Sequence, residues 1–253
     1  MGQGKRAVRT DHPMIAAGLA FPDLLVRDRQ AELMDDPGLE ADRHARALSA
    51  LRRVNRVSFA ADRLWREVRR IHAALCRPVR ILDVACGGGD VLVDVARRAR
   101  HAGVAVELHG CDMSPVAIAE ARRLGVVEGA LDYFELDVTR DDLPEGYDLL
   151  TTSLFLHHLA REGAVDLLRR MAAATRSSLF VQDLRRTRLG YVFAWIGLHT
   201  LTRSEVARSD GLVSVRGAFT LEEVGSLCRE AGLSDAEIGT AWPQRFTVGW
   251  RRV

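Results

Sequence analysis

The run Val79-Arg80-Ile81-Leu82-Asp83-Val84-Ala85-Cys86-Gly87-Gly88-Gly89-Asp90 constrains this chain more than any other stretch. Strand-forming residues lead into three consecutive glycines, and Val91 to Arg100 then repeat apolar residues at helical spacing. This reads as a strand, a tight turn and a helix. Glycine has no Cβ and tolerates positive φ, so such a turn lets bare backbone and a helix N-terminus approach a ligand. A small-molecule cofactor is the first expectation.

The same alternation continues downstream. A second strand, Ala105 to Cys111, ends in Asp112-Met113-Ser114-Pro115, with Pro115 suited to the first position of a helix. A third, Leu131 to Leu136, ends at Asp137, and a fourth, Tyr147 to Ser153, passes into Leu154-Phe155-Leu156-His157-His158-Leu159. A fifth, Ser178 to Gln182, ends at Asp183. Strands alternating with helices predict an α/β fold with a parallel sheet and helices on both faces. After the helix Leu221 to Ala231 come two short strands, Asp235 to Ala241 and Arg245 to Trp250, joined by Trp242-Pro243-Gln244. So short a link makes a hairpin, and the last strand must run antiparallel. The prediction is a Rossmann-like, seven-stranded, mostly parallel sheet.

Two segments stand outside this pattern. Leu39 to Cys76 has helical spacing, with Leu48, Leu51, Val54 and Val57 on one face and Leu64, Val68, Ile71 and Leu75 on another, and Ser58 as a cap between two helices. Residues 185–217 insert an arginine-rich turn, an apolar helix from Leu189 to Leu201, and a loop through Asp210-Gly211. The expected organisation is a disordered stretch 1–13, a helical lid 14–77, and a domain 78–253 carrying the 185–217 insertion.

Charge and cysteine content narrow the function. With 36 basic against 34 acidic residues the net charge is +2, which gives no reason to expect a nucleic-acid partner. Cys76, Cys86, Cys111 and Cys228 have no paired or metal-ligand spacing and read as buried, reduced thiols, and no metal is called for. Lys5, Arg6 and Arg9 precede the apolar Met14 to Phe21, but Pro22 and Asp23 cut that run short of an export signal. No apolar stretch approaches the ~20 residues of a membrane span, so a cytoplasmic location is expected.

Ligands in open α/β sheets bind beyond the carboxyl ends of the strands. Those ends carry Asp83, Asp112, Asp137, Ser153 with His157, and Asp183. Each carboxylate alone reads equally well as a cap or surface group; four at successive strand ends point to a ligand. A dinucleotide site wants a third glycine at the spacing G-x-G-x-x-G, which Gly87-Gly88-Gly89 lacks, and Asp90 opens the helix where a pyrophosphate would add like charge. An NAD(P)-dependent oxidoreductase is therefore the disfavoured alternative class.

Leu82 to Gly89 instead resembles motif I of the class I S-adenosylmethionine-dependent methyltransferases, acid-x-Gly-x-Gly-x-Gly, with Ala85 in place of the first glycine. The resemblance covers about residues 79–251. It implies S-adenosylmethionine as cofactor and S-adenosylhomocysteine as product. By that resemblance the backbone of Ala85, Cys86, Gly87 and Gly89 would lie along the methionine and ribose, and Asp83 would meet the ammonium. Asp112 would take the ribose hydroxyls, Met113 would pack on adenine, Asp137 and Val138 would meet the adenine edge, and Ser153 and Leu154 would border the methionine end.

A histidine at 157 or 158 could cap the next helix or bond across the core. It could also act as a base, since an imidazole titrates near 6.5. In plant phenol O-methyltransferases a histidine at the same strand end is the base; His157 matches it, His158 is second choice, and Asp183 would orient the base or bind the acceptor. The 185–217 insertion, with Tyr191, Phe193 and Trp195, would roof an apolar pocket or else form a core or homodimer contact. Together with Asp183-Leu184-Arg185-Arg186 these features resemble bacterial methyltransferases of secondary metabolism. The implied activity is O-methylation of a hydrophobic phenol- or polyketide-like small molecule. Carbon methylation of an activated ring or quinone is the alternative.

Overall fold

The computed structural model describes residues 22–36, 38–126 and 131–252. The expectations for 1–13 and for Met14 to Phe21 lie outside the described residues. Strands β1 (Val79–Val84), β2 (Val106–Asp112), β3 (Leu131–Glu135), β4 (Tyr147–Ser153), β5 (Thr175–Leu184), β6 (Glu237–Ala241) and β7 (Arg245–Arg251) form one seven-stranded sheet in the order β3-β2-β1-β4-β5-β7-β6. The first five pair in parallel, β7 runs antiparallel to β5, and β6 runs antiparallel to β7. The chain leaves β1 toward β2 and returns to β4 on its other side, so the crevice lies where β1 and β4 end, as the strand-order rule requires.

Successive strand residues face opposite layers. Ile81, Leu108, Leu149 and Phe180 join one core, with α3 (Asp90–Ala102), α4 (Pro115–Gly125) and α2 (Ala60–Leu75) packed on it. Leu82, Leu150, Leu179 and Val181 join the other, under α5 (Arg161–Ala174) and α8 (Leu221–Glu230). The end of β2 is shaped by Ser114, whose hydroxyl accepts from Ala117 N, and by Pro115 at the first helical turn of α4.

The N-terminal helices divide. Leu64, Val68 and Ile71 of α2 are buried in the sheet's own core, so α2 is a layer of the α/β domain. Helix α1 (Ala41–Val57) instead packs Ala47 and Ala50 against Val206 and Ala207 of α7 (Glu205–Gly217). Of the predicted stripe, Leu48 is buried, Leu51 and Val54 are half-buried, and Val57 is exposed. Ser58 closes α1, its hydroxyl donating to Asn55 O, and does not cap α2, which starts from Phe59 at φ 55°.

The loop expected at Asp210-Gly211 is helix. Asp210 is a buried acceptor for Leu33 N and Met34 N at 2.9 and 3.0 Å, and Gly211 lets α7 approach α6 (Arg188–Leu201), since a Cβ there would meet Leu198 Cδ1 at 2.4 Å. A dipeptide that signals a turn locally is used for tertiary contact. The buried-thiol reading holds for Cys111 and Cys228; Cys86 is half-buried and Cys76 is exposed. No described helix is long and apolar enough to cross a membrane.

Candidate active site

The chain leaves β1 through Ala85 at φ 55°, Gly87 at 53° and Gly89 at 71°. Ala85 holds a left-handed conformation that costs an L-residue about 1–2 kcal/mol, which is why a glycine would be the easier residue there. Gly89 has no such latitude. A Cβ on it would sit 2.6 Å from Tyr133 Oη and 2.9 Å from Ala121 Cβ, both buried. Gly89→Ala is expected to destabilise the fold by about 3 kcal/mol through overpacking and backbone strain, read as a lower urea midpoint at unchanged slope.

Two carboxylates flank this turn. Asp83 is 2% exposed and its Oδ1 is buried with no hydrogen-bond partner. Burial, then the nearby charges of Asp90 and Asp112, push its carboxyl well above the usual range. A buried carboxylate left in this state calls for a cation. Asp112, whose carboxyl burial also pushes up, accepts from Gly87 N at 2.8 Å and Ser114 N at 2.9 Å, so it braces the turn it faces. Each of its oxygens keeps a second lone pair for a ligand. Met113 beside it is 67% exposed.

Asp137 is placed differently from these two. Its Oδ1 accepts from Thr139 N and Oγ1 at 3.0 and 2.6 Å, closing its own turn, and Val138 is buried with its carbonyl taken by Arg170. At the end of β4, Ser153 Oγ accepts from Gln182 Nε2 at 2.9 Å, and Leu154 has φ 59°. Sequence reasoning missed what lies beneath. Arg63 Nε donates to the buried Gln182 Oε1 at 2.9 Å, and Arg245, 1% exposed, donates to Asn55. Arg63 Nη2 and Arg245 Nε and Nη1 are buried without partners.

The histidines sit in a one-turn 3₁₀ helix, Leu156–His158, directly after β4. His157 is 4% exposed, and its Nδ1 lies 2.7 Å from Asp183 Oδ1, while its backbone N–H donates to Asp183 Oδ2. Its Nε2 faces Glu32 Oε1 at 3.5 Å. His158, half-exposed, places Nδ1 3.1 Å from Asp35 Oδ2 and Nε2 3.8 Å from Glu32 Oε2. Burial opposes a charge on His157, but Asp183 and Glu32 outweigh it and raise its pKa to about 10.

Glu32 and Asp35 come from the N-terminal part of the expected helical lid 14–77, where residues 22–36 hold no α-helix and only the 3₁₀ turn Leu33–Asp35. This segment is strapped across the site by Arg27, whose guanidinium donates to the carbonyls of Gly217, His157 and Leu159 at 2.6–2.9 Å and stacks 3.7 Å over Phe219. Ser214 Oγ donates to Glu32 Oε1 at 2.6 Å. Above the glycine turn, Leu48 of α1 comes within 3.9 Å of the positions that side chains on Gly87 and Gly88 would take. Helix α6 leaves Leu189, Trp195 and Ile196 exposed, with Phe193 against Trp242 at 5.4 Å between rings.

Residues 81–178 match the family described as a methyltransferase domain. The matched segment, from β1 to the start of β5, is a methyltransferase domain. Among curated relatives it is similar to a ubiquinone biosynthesis O-methyltransferase of Hahella chejuensis, 28% identical over 47% of this chain and 48% of that protein. It is also similar to a demethylmenaquinone methyltransferase of Thermus thermophilus, 35% identical over 41% of this chain and 46% of that protein. The chain thus spans about half the length of the curated relatives it matches. The fold is shared with the magnesium protoporphyrin IX methyltransferase of Synechocystis with bound S-adenosylhomocysteine, at TM-score 0.56 and 17% identity over 86% of this chain and 90% of that one.

S-adenosylmethionine is the group whose chemistry this cradle would fit. The unpartnered Asp83 Oδ1 suits its ammonium, and the free lone pairs of Asp112 suit vicinal hydroxyls.

Proposed function

We propose that the chain is a methyltransferase acting on an oxygen of a small hydrophobic acceptor of phenol or quinol type, with His157 as the base. The carrying observation is that the His157–Asp183 pair, 2.7 Å apart, closes the ends of β4 and β5 beside the cradle at the end of β1. Bound S-adenosylmethionine supplies an electrophilic methyl group on a sulfonium.

The chain's own part is to position, deprotonate and exclude water. Asp83 pairs with the ammonium, Asp112 with the ribose, and Arg63 and Arg245 offer their unpartnered N–H groups to the methionine carboxylate. Met113, Asp137 and Val138 border the adenine, and Ser153 and Leu154 the methionine. The acceptor hydroxyl takes the place of Glu32 against His157 Nε2 and gives its proton to that nitrogen. Asp183 holds the opposite N–H and stabilises the imidazolium. The segment 22–36 and α1 serve as the lid, which must open for both ligands, since Glu32 faces His157 and Leu48 covers the glycine turn. The apolar side chains of α6 favour an aromatic acceptor.

Two quinone-named relatives support an aromatic, redox-type acceptor, and the demethylmenaquinone relative favours, as a second reading, methylation at a ring carbon of a quinone. Calorimetry should show S-adenosylhomocysteine binding with no binding of NADH or NADPH. A screen of quinols and phenolic polyketides with mass detection should then return a methylated product. Nicotinamide binding without S-adenosylhomocysteine binding would overturn this reading.

A further inference from the structure

Glu32, His157 and His158 bring three metal-ligating atoms within 4.8 Å of one another. The spacings inside this cluster are of two kinds. The outer contacts, His157 Nδ1 to Asp183 at 2.7 Å and His158 Nδ1 to Asp35 at 3.1 Å, are hydrogen bonds. The inner ones, from each Nε2 to an oxygen of Glu32, are 3.5 and 3.8 Å, too long for a charge-assisted hydrogen bond. The first, to Oε1, matches the edge of a ligand tetrahedron, about 3.3–3.6 Å when each ligand is about 2.0–2.2 Å from a central ion, and the second, to Oε2, is slightly longer.

The outer contacts point the same way. A ligating imidazole usually donates its other N–H to a carboxylate, which sets the tautomer and leaves the inner nitrogen free to ligate. Here both imidazoles have such a carboxylate on Nδ1, and both present Nε2 to the same glutamate. The two imidazoles, tilted by 34° with ring centroids 4.3 Å apart, lie side by side, so that one ion can reach both.

We propose that Glu32, His157 and His158 form a site for one divalent transition-metal ion of the zinc type, with Asp183 and Asp35 as the carboxylates that orient the two imidazoles. Two nitrogens and one carboxylate oxygen favour zinc or a neighbouring first-row ion over magnesium, which prefers an all-oxygen shell. Three protein ligands leave a position open for an outside oxygen. On the reading of this pocket as the acceptor's side of the site, that oxygen belongs to the acceptor, and the ion and the His157 Nε2 proton are alternative occupants of one nitrogen. The site also gives the segment carrying Glu32 a reason to close on the histidines, because the ion ties it to the core.

The test uses the full chain, freed of any affinity tag and stripped with a chelator. Equilibrium dialysis against Zn²⁺ or Mg²⁺, with the metal counted by mass spectrometry, should show one zinc per chain and no retained magnesium. Co²⁺ in place of Zn²⁺ should give a visible absorption band from low-symmetry nitrogen and oxygen ligation. Glu32→Gln, which is isosteric, and His158→Ala, at a partly exposed position, should each lose stoichiometric zinc. Asp35→Asn should weaken binding about 10- to 100-fold. Less than one zinc in the wild type, or undiminished binding in both Glu32→Gln and His158→Ala, overturns the proposal. Turnover by the chelated protein together with absent zinc binding leaves the proposed function standing without this site. Zinc binding without S-adenosylhomocysteine binding does the reverse.

Discussion

Replacing His157 with alanine is expected to lower methyl transfer by about 10²- to 10⁴-fold, the usual contribution of a positioned base. S-adenosylhomocysteine binding should remain, because none of the contacts assigned to it is made by His157. The pH profile carries the sharper test. In the closed arrangement burial disfavours the charged imidazole, but Asp183 and Glu32 together raise its pKa to about 10. A raised pKa means that the protonated form dominates below about 10, so turnover should rise with pH toward that value as neutral imidazole appears. Glu32→Gln removes one of the two carboxylates that hold the proton, so in chelated protein its rising limb should move to lower pH. An unmoved limb, or full turnover in His157→Ala, would remove His157 from the role of base. The same sign governs stability. The favourable charge of His157 is fully present below its ordinary 6.5 and is lost as pH climbs through about 10.

Asp112→Ala should weaken S-adenosylhomocysteine binding on the order of 100-fold, about 3 kcal/mol for two hydrogen bonds to a charged acceptor. The direct loss is the pair of hydroxyl contacts. An indirect loss adds to it, since Asp112 also holds Gly87 N at 2.8 Å and Ser114 N at 2.9 Å, and without it the glycine turn loses its brace. Asp112→Asn keeps one acceptor oxygen and should fall between wild type and alanine. Calorimetry distinguishes the cases, with thermal unfolding of the unliganded proteins reporting how much of the effect is loss of the turn. Binding that is equal in all three would remove Asp112 from the cofactor site.

Much of this architecture was legible before any coordinates. Val79 to Asp90 could be read as strand, turn and helix because glycine's backbone freedom and side-chain periodicity are local properties. The carboxylates at the ends of β1, β2 and β5 followed from placing the strand boundaries correctly. The antiparallel β7 followed from the shortness of the Trp242-Pro243-Gln244 link. Local signals failed where a residue served a distant one. Asp210-Gly211 looked like a turn and is a buried acceptor plus a close helix contact. Ala47 and Ala50, unremarkable in a hydrophobic stripe, are what lets α1 lie against α7.

What the sequence determined by itself is therefore the sheet, its cofactor turn and the presence of His157 and His158 after the fourth strand. What only the tertiary structure decided is their surroundings. Asp35 reaches His158 across 123 residues of chain, and Glu32 reaches both histidines across slightly more, without periodicity or motif to announce it. Arg63 reaches Ser153 through Gln182, and Arg245 reaches Asn55, in the same way. The physical reason is that backbone conformation is set largely by neighbours in sequence, whereas the protonation and ligands of a buried imidazole are set by whichever charges the fold brings within a few ångströms.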